Sequence, residues 1–145
     1  MIRISKFTDY GIIILSYLAH NLEKQPCSAS LLAKETSIPL PTVTKLLKNL
    51  NHARLLVSER GLKGGYSLAR SPDDLNVAEV VTALEGPIAI TECGDDHGRC
   101  KLQQDCPVRN NWRKINRAVL KALEILTIAD MADPRATLRP EKPKR

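Results

Sequence analysis

The 145-residue chain has no run of about 18 apolar residues, so no membrane-spanning helix is expected. Its opening, MIRISKFTDYG, lacks the long apolar stretch and small-residue cleavage site of a secretory signal. Both absences point to a cytoplasmic protein with reduced thiols. There, clustered cysteines bind metal or do redox chemistry more often than they form structural disulfides. Aromatic residues are only 3% of the chain, so the 43% of apolar residues available for a core are mostly aliphatic. No phosphate-binding Gly-rich loop is present, because the GLKGG of residues 61–65 lies in a hairpin and not between a strand and a helix. With three histidines and no recognisable nucleophile–base constellation, the chain does not read as an enzyme.

What is present begins with charge. The net charge of +6 divides into a basic first half (net +6 over residues 1–70), an acidic block (net −6 over 71–107) and a basic end (net +6 over 108–145). A basic first half suits a polyanion partner, although ordinary solvated surface charge gives the same count. The acidic block coincides with most of the cysteines, which separates two tasks along the chain.

Phe7, Tyr10, Ile13, Ile14, Tyr17 and Leu18 recur at helical spacing, with Ile12 and Leu15 widening the face. Such breadth suits burial by both the chain's own domain and a partner chain. Ser28 or Ser30 can cap a short helix running through Glu35, and the prolines at 39 and 41 break it. Pro41 suits the first turn of the next helix. That helix puts Val43, Leu46, Leu47 and Leu50 on one face, with Thr42, Thr44, Lys45, Lys48 and Asn49 on the other. Strand-like runs at 55–60 and 65–69 then flank a glycine-rich turn, with Arg60 and Lys63 near its tip. The order helix, helix, turn, basic helix, basic hairpin is that of a winged helix-turn-helix.

Asn76 caps an amphipathic segment with Val77, Val80, Val81 and Leu84 facing inward. Residues 110–131 form a long helical pattern carrying Trp112, Ile115, Val119, Ala122 and Leu126 at three- and four-residue spacing. At 1.5 Å per residue it would be about 25 Å or longer. A helix of this length beside a small domain suits a dimer interface, the alternative being that it folds back on its own domain. The fold class is therefore mainly α with a small β-wing. It comprises a winged DNA-binding region at 1–75, a short helix, cysteine loop and dimerisation helix at 76–133, and a disordered basic tail at 134–145.

Between these helices Cys93, Cys100 and Cys106 occur within fourteen residues, spaced C-x6-C-x5-C. Cys27 lies far off and reads as a small packing residue. Three thiolates suit an Fe–S cluster, zinc or copper(I). His97 would complete a Cys₃His zinc set, but an exposed loop histidine is more often solvated. The missing C-x2-C knuckle and the polar linkers favour a loop wrapped over a larger cluster. A thiol switch by disulfide exchange is a third option.

With these parts in this order, the chain resembles the bacterial regulators that include IscR, NsrR, RirA and the regulators of the SUF iron–sulfur assembly system. The residues that carry the resemblance are SKFTDYG at 5–11, RGLKGGYSLAR at 60–70, VAEVVTALEGPI at 77–88, the three cysteines and TIADM at 127–131. EGPIAITEC and CPVRNNWRKIN look most like the SUF-regulator branch. The resemblance implies a cytoplasmic homodimer that binds a palindromic double-stranded operator. It also implies an Fe–S cluster, 2Fe-2S or 4Fe-4S, on Cys93, Cys100 and Cys106. IscR-like members place a histidine ligand where this chain has Arg109. NsrR-like members use the aspartate of an F-T-D sequence from the partner chain, which makes Asp9 the candidate fourth ligand here; its bland alternative is a helix cap. Thr42, Thr44, Lys45 and Lys48 are expected in the major groove, with Arg60 and Lys63 on phosphates or the minor groove. Alternatives are a nitric-oxide-sensing NsrR-like repressor, a zinc- or thiol-dependent winged helix without a cluster, and a wing that binds protein.

Overall fold

The structure, a computed structural model, describes residues 3–94, 100–102, 104–133 and 135. His97 and nearly all of the expected tail lie outside the described residues. Helix α1 spans Lys6–His20 and starts at Ser5, whose Oγ accepts the Thr8 amide. Its inward face consists of Thr8, Gly11, Ile12, Ile14, Leu15 and Leu18. Ile13, expected on that face, is instead exposed. Helix α2, Ala29–Thr36, is capped by Ser28 and ends at Ser37 in the left-handed region (φ 58°). Its end is therefore a residue or two before the prolines expected to break it. Buried Ile38 then leads into α3, Leu40–His52, whose Val43, Leu46, Leu47 and Leu50 are buried as the periodicity requires.

Strands β1, Leu56–Glu59, and β2, Gly65–Leu68, pair antiparallel with Leu56 opposite Leu68 and Glu59 opposite Gly65. The paired glycines at the turn have separate steric reasons. A Cβ at Gly64 would lie 2.2 Å from the Glu59 carbonyl oxygen, and one at Gly65 would lie 2.4 Å from the Cys27 carbonyl. That second approach exists because Cys27 and Tyr66 exchange backbone hydrogen bonds of 2.9 and 2.8 Å. Gln25 fastens the hairpin further: its amide donates to the Leu18 carbonyl and accepts the Leu68 amide. The wing is thus tied to the end of α1.

Helix α4, Val77–Glu85, opens on a capping box in which Asn76 and Glu79 satisfy each other's backbone amides. It crosses α1 at Gly11, where an added Cβ would lie 2.6 Å from a Leu84 methyl and that side chain would have to shift. A 3₁₀ turn at Glu92–Gly94 follows, then α5, Arg109–Ile125. The expected continuous helix to 131 is broken. Leu126 is extended, its carbonyl accepts the Val77 amide, and Ile128 donates to the Leu75 carbonyl. Thr127 and Asp130 form a second capping box that starts α6, Ile128–Ala132. The break turns Ile128 fully into the core, a gain of about 1.5–3 kcal/mol for a side chain of this size. One core joins Ile14, Leu18, Leu46, Leu50, Val80 and Ile128. It crosses the boundary expected between 75 and 76.

Candidate DNA interface and cysteine centre

The reading surface is built on α3. Its apolar face is spent on the core, which leaves Lys45 and Lys48 exposed and Thr42 and Thr44 half-buried. The Thr44 hydroxyl donates to the Leu40 carbonyl at 2.9 Å, so its free groups are the lone pairs and the methyl. The Lys45 ammonium lies 5.4 Å from the centre of the Phe7 ring, leaning toward the start of α1. Among the described residues, Lys48 has no such partner. Arg60 and Lys63 are both exposed on the wing. Between the two wing cations stands Leu62, wholly exposed, and Leu40 at the start of α3 is 45% exposed. Sequence patterning could not single these leucines out, since periodicity reports apolar character and not which apolar residues remain uncovered.

The cysteine arm lies beyond α4. Cys93 sits in the 3₁₀ turn, its Sγ 3.1 Å from the Thr91 hydroxyl. Cys106 precedes the first turn of α5, its carbonyl accepting the Arg109 amide. Cys93, Cys100 and Cys106 are all free thiols and all half-buried, whereas Cys27 is fully buried. Burial raises the Cys27 thiol pKa, and its Sγ is 3.4 Å from the Lys24 carbonyl. This is the packing role expected of it. Three accessible, unpaired soft donors fit an Fe–S cluster or zinc in type, one ligand short of four. Among the described residues, no group of three His, Cys, Asp or Glu side chains is close enough to hold a metal.

Asp9 does not cap α1, because Ser5 does. Its side chain is exposed, and among the described residues it makes no hydrogen bond or ion pair. It borders a groove of about 530 Å³ lined also by Ile4, Ile12, Leu123, Leu126 and Met131. That groove lies at the C-terminal end of α5, while Cys106 precedes its N-terminal end.

Helix α5 joins the two regions. Trp112 and Ile115 are 38% and 45% exposed, and Val108 just before the helix is 46% exposed. Only the end of the stripe, at Leu123 and Leu126, packs against the core. Most of an amphipathic surface is therefore left without cover by the described residues.

Residues 4–134 match the model of Rrf2, described as iron-dependent transcriptional regulators. The chain belongs to the Rrf2 family. Its Rrf2 relatives include CymR of Bacillus subtilis, 31% identical over 90% of this chain and 89% of that protein. NsrR of Geobacillus kaustophilus is 28% identical over 94% of each. The solved structure of B. subtilis CymR, described as a global cysteine regulator, superposes with a TM-score of 0.74 at 29% identity over 91% of this chain and 97% of that one. An IscR from T. potens superposes at 0.70 with 28% identity, covering 90% and 85%. These relatives are transcriptional regulators and not enzymes. As an Rrf2 protein with a winged helix-turn-helix, this chain is a DNA-binding transcriptional regulator. Among its described residues, no helix is long and apolar enough to cross a membrane.

Proposed function

We propose that this Rrf2 regulator is a homodimer that reads a palindromic operator and holds an Fe–S cluster on Cys93, Cys100 and Cys106. Its targets are iron–sulfur assembly genes of the SUF type, controlled according to cluster status. The observation that carries this reading is the set of three free, half-buried thiols on one arm beside a helix with an uncovered apolar stripe. When bound, the cluster supplies a redox-sensitive and ligand-labile centre. The protein's part is to hold the thiolates and to place them relative to α5. The partner subunit's Asp9 supplies the fourth ligand. Its exposed, unengaged carboxylate and its position toward the far end of α5 favour donation across a two-fold axis over donation within one chain. Lys48, Arg60 and Lys63 contact phosphates or the minor groove, and Thr42, Thr44 and Lys45 meet base edges.

The test is the visible absorption spectrum of protein purified without oxygen, paired with operator binding before and after iron removal. Thiolate-to-iron bands and a change in operator affinity support the reading. A colourless protein with stoichiometric zinc would overturn it. Similarity to NsrR favours a variant in which nitric oxide is the signal, tested by treating the iron-loaded protein with a nitric-oxide donor. Similarity to a global cysteine regulator favours a different reading, a cluster-free thiol switch. It predicts that oxidation joins two of the three cysteines, mapped by mass spectrometry, and alters operator affinity without iron.

A further inference from the structure

Of the seventeen residues of α5, the single buried one is polar: Asn116, 8% exposed. A buried carboxamide needs partners, and Asn116 finds them on the main chain of the segment leading to Cys93. Its Nδ2 donates to the Ile88 carbonyl at 3.2 Å, and its Oδ1 accepts the Ile90 amide at 3.0 Å. Gly94 closes the contact, since a Cβ there would lie 3.2 Å from the Asn116 side-chain carbon. Upstream, the Glu85 carboxylate accepts the Ser5 amide at 2.7 Å, fixing the same segment to the start of α1.

We propose that Asn116 is a positioning residue for Cys93, clamping residues 88–94 onto α5 so that the first thiolate is held to the same helix that follows Cys106. This deepens the cluster reading and rests on it for its purpose, though not for its geometry. Cys106 meets α5 at its first turn and Cys93 is held near Asn116, seven residues or about 10 Å further along the helix. The thiol arm is therefore fixed at both ends to one rigid element. Without the clamp, Cys93 would move independently of α5, and its state would no longer be tied to the helix with the uncovered stripe.

The test uses the metal-free full-length protein, with alkylation of each cysteine by iodoacetamide followed by mass spectrometry. In Asn116→Ala, the Cys93 rate should rise about tenfold, since two local hydrogen bonds are lost, while Cys106 changes little. Gly94→Ala approaches the clamp from its other side and should raise the Cys93 rate selectively but less. Asn116→Asp keeps the acceptor for Ile90 and loses the donor to Ile88, so its rate should fall between wild type and alanine. An unchanged Cys93 rate, or equal acceleration at all three thiols, would overturn the proposal. If Asn116→Ala does not fold, the other two variants decide on the same criterion. Failure of the cluster reading appears separately, as a wild-type spectrum without iron bands. In iron-loaded protein, equal rates of bleaching for wild type and Asn116→Asp would overturn the role in ligation.

Discussion

Lys48 and Thr44 sit one turn apart on α3, yet they make different demands on DNA. Lys48 is an exposed cation with no intramolecular partner among the described residues, suited to a phosphate. Lys48→Ala should weaken binding to all sequences alike and reduce the slope of log K against log salt by about 1, measured by fluorescence anisotropy. Thr44 has committed its hydroxyl proton to Leu40, leaving a methyl and lone pairs for a base edge. Substituting it should change which base is preferred; equal losses on every sequence would sink that division. Gly65→Ala puts a Cβ into the Cys27 backbone. It should cost roughly 1–3 kcal/mol by urea denaturation, because a peptide group cannot rotate aside as a side chain can. At Glu85, hydrogen bonding from the Thr8 side chain, helped by Ser5, lowers the carboxyl pKa against a smaller opposing effect of burial. A lowered folded-state value means that this stabilisation is present above the unfolded pKa of about 4.3 and fades as pH falls through the folded one. The stability difference between wild type and Glu85→Gln should therefore shrink on acidification below about pH 4. The apolar row Trp112, Ile115, Val119, Ala122 and Leu126 does not single out Asn116. Its hydrogen-bond partners lie 26 and 28 residues away, beyond the reach of local spacing.

Elements were legible where a pattern is local. The caps at Ser28 and Asn76, the buried rows of α3 and α4 and the hairpin all follow from neighbours within four residues. The break between α5 and α6 escaped because apolar spacing continues through Leu126 and Ile128. What ends α5 is a pair of hydrogen bonds to Leu75 and Val77, fifty residues away. The uncovered stripe on α5 carries its own expectation. Trp112→Asp or Ile115→Asp should leave far-UV circular dichroism intact, since both side chains are exposed in the single chain, and should shift sedimentation toward monomer. A variant that remains dimeric would remove α5 from the interface.

For the molecule as a whole, α6 returns to pack on α1, and α4 crosses it at Gly11, so the reading head and the segment before the cysteines share one core. A change at the arm therefore has a rigid route to α1. Asp9 is the proposed fourth ligand. Asp9→Ala should leave the metal-free protein folded and dimeric while altering the visible spectrum or hastening its bleaching in air. An unchanged spectrum and lifetime would exclude Asp9. Sequence alone determined the family pattern, the winged reading head, the three-cysteine arm and the amphipathic long helix. Each depends on residue type at short spacing, and short-range spacing fixes which faces are apolar, which turns need glycine and which donors are soft. Only the tertiary structure decided that Ser5 and not Asp9 caps α1, that α5 stops at Ile125, and that Asn116 holds the approach to Cys93. In each case the deciding atoms belong to backbone or side-chain groups whose competing partners are equally near in sequence or many residues away, and packing alone selects among them.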